Sequence, residues 1–295
     1  MKLNRRNFLK LSAGTTGLLL LNSPKTASAN DSTKENSKGV LVDTTKCVGC
    51  WWCYAACKQT HNLPETIKPD KENPPKLNSS IWTTLSTKKE DSGWKYAKRQ
   101  CMHCLTPACA AACPVGALKK TDDGPVIYDK DKCFGCRYCM VACPFGVPDF
   151  EWEDPTPWIR KCDLCADRLA EGLVPACVDA CTTGALKFGN RDELLAEARE
   201  RITAEPGKYI DHIYGEHEAG GTAWLYISDI PLKEMGFPTL NHGPVTLNAQ
   251  RAMGAVPPVL LGVAAAMTGI YWLIKRREKL SVDKEDDNTK KEVSI

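Results

Sequence analysis

Sixteen cysteines in a chain of 295 residues fall into four groups of four, and no other feature restricts the possible folds so tightly. The groups are Cys47, Cys50, Cys53 and Cys57; Cys101, Cys104, Cys109 and Cys113; Cys133, Cys136, Cys139 and Cys143; and Cys162, Cys165, Cys177 and Cys181. The third is followed by Pro144 and has the spacing C-x₂-C-x₂-C-x₃-C-P in full. The first keeps that spacing, with Lys58 in place of the proline. The second keeps Pro114 and widens the middle gap to four residues; the fourth widens it to eleven and carries Thr182 instead of proline.

This spacing suits iron–sulfur chemistry. Three thiolates in a tight loop can grip three iron corners of one 4Fe–4S cubane. The fourth, three residues further on, sits at the start of a helical turn and is expected to point away, toward a neighbouring cluster. Sixteen thiolates account for four 4Fe–4S clusters with none left over. Zinc also uses C-x₂-C pairs, but a structural zinc site does not call for the full C-x₂-C-x₂-C-x₃-C-P run. Disulfides would suit an exported chain, yet closely spaced triplets make poor bridging geometry. A net charge of +3 and a pI near 8.1 give no reason to expect a nucleic-acid partner.

Both ends bear on location. Asn4-Arg5-Arg6-Asn7-Phe8-Leu9-Lys10 precedes an apolar stretch from Leu11 to Leu21, and Ala27-Ser28-Ala29 has the small-x-small form that signal peptidase accepts. The arginine pair, the weak apolar run and Lys25 point to a twin-arginine signal over 1–29. That route exports folded proteins, which suits clusters assembled in the cytoplasm. Ala252 to Ile274 contains no charged residue and is long enough to cross about 30 Å of hydrocarbon as a helix, with Pro257-Pro258 bending or delaying its start. Lys275-Arg276-Arg277 follows, against only Arg251 on the other flank, so the positive-inside bias puts the 275–295 tail in the cytoplasm and the body outside.

Between the motifs there is an internal echo. Cys113-Pro-Val-Gly-Ala-Leu-Lys-Lys recurs as Cys181-Thr-Thr-Gly-Ala-Leu-Lys-Phe, with Cys143-Pro-Phe-Gly-Val a weaker copy. Each reads as a helix end, a glycine turn and a strand. Asp122-Asp123-Gly124 reads as a hairpin turn with Val126-Ile127-Tyr128 returning. Within the 58–100 insertion, Ile81 to Leu85 and Trp94 to Lys98 pair as a hairpin across Ser92-Gly93. Arg191 to Thr203 predicts an amphipathic helix with Leu194, Leu195, Ala198 and Ile202 inward, and Trp224-Leu225-Tyr226-Ile227 a further strand. Of the five histidines, none lies in the 252–274 segment, so the chain offers no axial ligand to a membrane haem; His103 reads as a packing residue. No nucleophile–base arrangement and no phosphate-cradling loop suggests catalysis by the chain itself.

The four cysteine groups, with the second and fourth widened, resemble the four-cluster iron–sulfur subunits of membrane-bound molybdopterin oxidoreductases and periplasmic hydrogenases. The N-terminal signal, Tyr214-Gly215-Glu216 with Gly220-Gly221-Thr222, and the apolar C-terminal segment are most similar to the hydrogenase-2 type and to anchored formate dehydrogenase subunits. The resemblance implies an α+β fold of two bacterial-ferredoxin-like lobes, with a core over 40–190, a covering helix and extension over 191–250, and a transmembrane helix. It implies crossed ligation: Cys47, Cys50 and Cys53 with Cys181; Cys162, Cys165 and Cys177 with Cys57; Cys101, Cys104 and Cys109 with Cys143; Cys133, Cys136 and Cys139 with Cys113. It also implies an electron relay between a catalytic large subunit and an integral membrane subunit. The first would be a nickel–iron hydrogenase or a molybdopterin or tungstopterin formate dehydrogenase, and the second quinone-reactive or a cytochrome b. The alternatives are a reductase partner with reversed flow, or a membrane anchor whose clusters only hold the fold.

Protein prepared anaerobically should carry about sixteen irons per chain, four for each four-cysteine cubane. Iron and zinc analysis decides it: eight irons or fewer, or stoichiometric zinc, would overturn the four-cluster count.

Overall fold

The computed structural model describes residues 37–64, 68–246, 258–278 and 280. The signal-like segment 1–29, residues 252–257 of the apolar segment and the end of the tail lie outside them. Residues 37–244 belong to one compact unit, and the apolar C-terminal helix to another.

The centre of the first unit is a three-stranded sheet in the order β8-β1-β9, formed by β1 (Lys38–Asp43), β8 (Leu186–Asn190) and β9 (Trp224–Ile227). β1 pairs antiparallel with β8 and parallel with β9. Val40, Leu41 and Val42 are buried, as is every residue of β9, because both faces of the sheet are covered. Such strands read as unbroken apolar runs rather than alternating ones. On one face lies α6 (Arg191–Ala204), packing Leu194, Leu195 and Ala198 against Leu41, Leu225 and Ile227. On the other, Val40, Val42, Leu186, Trp224 and Tyr226 pack against the cysteine-bearing region.

That region carries the remaining elements in chain order. α1 (Trp52–Thr60) precedes the hairpin β2 (Thr84–Glu90)/β3 (Gly93–Arg99). Next come α2 (Ala108–Ala111) and the short antiparallel pair β4 (Leu118–Lys120)/β5 (Val126–Tyr128). After these follow α3 (Tyr138–Ala142), the two-residue ladder β6 (Asp149–Phe150)/β7 (Ile159–Arg160), α4 (Ala166–Ala170) and α5 (Ala176–Asp179). The insertion hairpin is longer than the sequence suggests and starts three residues later, at Thr84. Ile81 lies before it, buried and bridged to Asn78. α1 outlasts α2 and α3, whose cysteine groups end in Pro114 and Pro144. A proline after Cys113 or Cys143 cannot continue a helix, whereas Lys58 does, and its ammonium caps the carbonyls of Pro64 and Ser80 (3.2 Å to the latter).

The three echoed turns behave alike. Gly116, Gly146 and Gly184 each have φ near +60° and turn the chain from a helix end into β4, β6 and β8. The covering segment is tied down by Arg191. Its buried guanidinium donates to the carbonyls of Thr222 (2.7 Å), Gly215 (3.2 Å) and Glu216 (3.1 Å).

In the second unit, α7 (Pro258–Glu278) is long and apolar enough to cross a membrane, by length and composition. Pro258 opens it, a position where a missing N–H costs nothing.

Gly215 adopts φ +97°, and a Cβ there would stand 2.2 Å from the Trp224 carbonyl oxygen. The backbone conformation alone costs a non-glycine residue about 1–3 kcal/mol. Gly215→Ala should therefore lower the apparent denaturation midpoint of the cluster-loaded protein clearly. Gly243→Ala, with nothing within 4 Å, should leave it unchanged.

Candidate iron–sulfur centres

Each cysteine group is bent by the same backbone device. The residue two past its first cysteine has a positive φ: Gly49 (69°), His103 (47°), Gly135 (77°) and Leu164 (61°). A left-handed residue in a tight loop turns successive N–H groups toward one concave side, the shape that receives an anionic group. For His103 and Leu164 that conformation costs about 1–2 kcal/mol. Trp51 and Arg137 are also left-handed, and they start α1 and α3 directly after the loops. Backbone N–H groups approach the sulfurs: Ala117 to Cys113 Sγ at 3.2 Å, and Gly135 to Cys133 Sγ and Leu164 to Cys162 Sγ at 3.4 Å.

Strand register brings different groups together. Val42 of β1 pairs with Leu186 of β8; Cys47 lies five residues after the one and Cys181 five residues before the other. Leu118 of β4 pairs with Tyr128 of β5 in the same way, placing Cys113 beside Cys133 with the same five-residue offsets. A cavity of about 400 Å³ is accordingly lined by Cys47, Cys50, Cys53 and Cys181, with Lys98 in its wall. Another, of about 310 Å³, is lined by Cys113, Cys133, Cys136 and Cys139.

The remaining cysteines form two further neighbourhoods. Burial raises the Cys57 thiol, and Cys177 and Cys165 raise it further against the opposing pull of Lys98. Cys162 is raised by burial and then by Cys57. Cys104 is raised by burial and then by Cys101, Cys143 and Cys109. These neighbourhoods are compatible with crossed pairing, in which the fourth cysteine of a group turns to a neighbouring set. Cys53 and Cys57 lie four residues apart on α1 and so share one stripe of the helix. α1 packs against α5, which carries Cys177 and is followed by Cys181. Cys53 meets Cys181 at one end of this contact and Cys57 meets Cys177 at the other, so the helices run in opposite directions and exchange cysteines. α2 and α3 pack in the same manner around Cys109, Cys113, Cys139 and Cys143.

The sets also touch in sequence. Cys53 feels Cys177, Cys162 feels Cys101, and Cys109 feels Cys139. Burial pushes Cys53 and Cys109 up to about 12, and Cys139 and Cys165 up to about 11. Four thiols converging in an apolar wall are the donor set for a soft cation that displaces their protons. The residues fit a 4Fe–4S cluster. Cys113 shifts the other way: burial raises it, but the N–H groups of Leu118, Val115, Ala117 and Gly116 outweigh burial and lower it.

Several residues at these sites carried no signal in the sequence. Lys98 is buried on β3, and its pKa is raised: burial opposes its charge, but the sulfurs of Cys177, Cys53, Cys162 and Cys57 outweigh that. Lys161, also buried, donates to the carbonyls of Val126 and Cys162 (3.0 Å to the latter). His103 is buried with Nδ1 accepting from the Val126 N–H at 2.8 Å; burial, then Lys161, Lys120 and Lys98, keep it neutral. His61 Nε2 stands 3.5 Å from both Cys165 Sγ and Asp163 Oδ1. Because Cys165 already belongs to a cysteine set, this trio is the edge of that set rather than a separate metal site.

The paired sulfur sets and the helix–turn–strand repeats define a ferredoxin-like protein that carries 4Fe–4S clusters. The chain matches 4Fe–4S dicluster domain families over residues 46–117 and 92–191. It is 41% identical to a protein of Nitratidesulfovibrio vulgaris across 99% of this chain and 82% of that one. It is 36% identical to the hydrogenase-2 operon protein HybA of Escherichia coli, across 94% of this chain and 96% of the relative. Identity to the nitrate-inducible formate dehydrogenase iron–sulfur subunit of Escherichia coli is 32%, across 83% of this chain and 88% of the relative. The chain belongs to the family of 4Fe–4S dicluster electron-transfer proteins that includes these hydrogenase-2 and formate dehydrogenase proteins.

Cys57→Ser should alter the electron paramagnetic resonance signal that Cys162→Ser alters, and Cys181→Ser the one that Cys50→Ser alters. A Cys57→Ser spectrum that changes with Cys50→Ser instead would mean that each group closes on itself.

Proposed function

We propose that the chain is a relay subunit in which each of the four cysteine sets holds one 4Fe–4S cluster. When bound, the clusters supply one-electron storage and release at potentials within about −700 to +450 mV. The chain's own residues arrange these sites in a row and insulate the middle of it. The observation that carries the reading is the exposure of apolar side chains on the ligand loops of two sets. Cys57, Cys162, Cys165 and Cys177 are all buried, as are Cys101, Cys109 and Cys139. At the two outer sets the ligand loops reach the surface, with Val48 63% and Trp52 58% exposed at one, and Phe134 64% and Tyr138 62% exposed at the other. Apolar side chains left in water at both ends of a row suit two docking surfaces.

The partners follow from the relatives. HybA is a hydrogenase-2 operon protein and the formate dehydrogenase protein is an iron–sulfur subunit. We therefore assign one end to a hydrogenase or formate dehydrogenase large subunit and the other to a quinone-reactive or cytochrome b membrane subunit, with electrons running from the first to the second. The layout is an α+β protein with a twin-arginine signal over 1–29, two ferredoxin-like lobes over 40–190 and a covering segment over 191–250. A span over 252–274 follows, with the body on the outer face and the 275–295 tail in the cytoplasm. A purely structural anchor would have no use for two exposed apolar rims.

In the complex purified from membranes, dihydrogen or formate should reduce the clusters within the turnover time, and a quinone should reoxidise them. Rapid-mixing absorbance at the cluster band provides the check. Clusters that stay oxidised while substrate is consumed would leave only the anchor role.

A further inference from the structure

Lys98 is an ammonium with no carboxylate partner among the described residues. It is 2% exposed and sits on β3, in the wall of the cavity that Cys47, Cys50, Cys53 and Cys181 line. Its Nζ donates to Thr83 Oγ1 at 2.5 Å and to Gln100 Oε1 at 3.0 Å, both neutral acceptors, and lies 4.6 Å from the centroid of the Trp224 ring. Neutral acceptors and a ring face satisfy an ammonium's hydrogen bonds but do not balance its charge, and an unbalanced buried cation is costly. The negative charge that can balance it lies on sulfur. The groups that stabilise its charge are Cys177, Cys53, Cys162 and Cys57, drawn from both sets that the α1–α5 contact separates.

We infer that Lys98 is a fixed counter-cation shared by the clusters of these two sets, holding their reduction potentials above the values the same ligands would give without it. The inference rests on the four-cluster reading above. A cubane held by four thiolates is anionic and gains one further negative charge on reduction, so a buried positive charge favours the reduced form. Its position on a hairpin strand, between Thr83 and Gln100, keeps the charge at a constant distance from both sets. A rim lysine could do neither, because water and salt would screen it. Cavity and hydrogen-bond partners are also matched to a linear side chain with a terminal charge. A merely polar residue would complete the hydrogen bonds to Thr83 and Gln100 without needing the four sulfurs around it.

The test uses the full chain, with each cluster's signal first assigned in otherwise wild-type protein through Cys50→Ser, Cys165→Ser, Cys136→Ser and Cys104→Ser. That assignment and the iron count examine the four-cluster reading before Lys98 is touched, so the two can fail separately. Redox titration followed by electron paramagnetic resonance is then run on Lys98→Met and Lys98→Arg. In Lys98→Met, the reduced-to-oxidised ratio of both clusters of the first and fourth groups should fall about tenfold at fixed potential, a shift of about 59 mV for a one-electron couple. The Cys133-group cluster should keep its midpoint, and Lys98→Arg should restore most of the loss. Unchanged midpoints in Lys98→Met, an upward shift, or an equal shift in every cluster would overturn the inference. If Lys98→Met fails to retain iron in these two sets, Lys98→Arg decides. Iron regained with arginine supports a role for the charge, and iron lost in both variants reduces Lys98 to a shape requirement.

Discussion

Two short strand pairings position the cysteines, and the sites depend on their register. Val42 opposite Leu186, and Leu118 opposite Tyr128, set a last cysteine of one group beside a first cysteine of another. A slip of one residue in either pairing would move Cys47 or Cys133 along the chain relative to its partner. At the first pairing, packing on both faces holds Val40, Leu41 and Val42 in place, since a slip would exchange Val and Leu side chains of different shape between two packed faces. The second is held by Leu118 and Val126, buried beside Cys109 and Cys139. Hydrophobic register thus does the work of ligand placement.

The helices complete what the strands begin. With α1 and α5 antiparallel, the two cysteines of α1 face Cys177 on α5 and Cys181 just beyond it, so one contact serves two sites. α2 and α3 repeat the arrangement with one cysteine on each helix and one just after it. A shared helix contact also puts consecutive sites close together, through Cys53 and Cys177, and through Cys109 and Cys139. The device that builds each site therefore also places it next to the following one. The folded protein and its clusters are coupled for the same reason: thiols held together in apolar walls are poorly placed without metal, so cluster binding contributes to folding.

Much of the local structure was legible in the residues. The α6 helix, the β4/β5 turn at Asp122-Asp123-Gly124, the insertion hairpin and β9 all carry periodicity or turn chemistry that acts within a few residues. β1 was not legible: Val40-Leu41-Val42 is too short a run to distinguish a strand from buried helix, and its partners lie far along the chain. Lys98 and His61 were missed for a related reason. Each looks like a surface residue in its own segment and acquires meaning only from sulfurs more than forty residues away in at least one case, such as Cys165 for His61. That the fourth cysteine of a group turns to a neighbouring set is a local expectation, but which set receives it depends on the opposed helix packed against its own.

Cysteine count and spacing by themselves determined the chemistry, since thiolates in closely spaced triplets suit few ligands besides an iron–sulfur cubane, and that preference is local. The echoed Cys-x-x-Gly turns likewise determined where helices give way to strands, because a positive φ is a property of one residue. Which cysteine serves which site was decided only by tertiary structure, through the register of β1 with β8 and β4 with β5 and the opposed packing of the helix pairs. The charge around the sites was decided there as well. A lysine is a solvated cation in sequence, and only folding can bury Lys98 among four sulfurs.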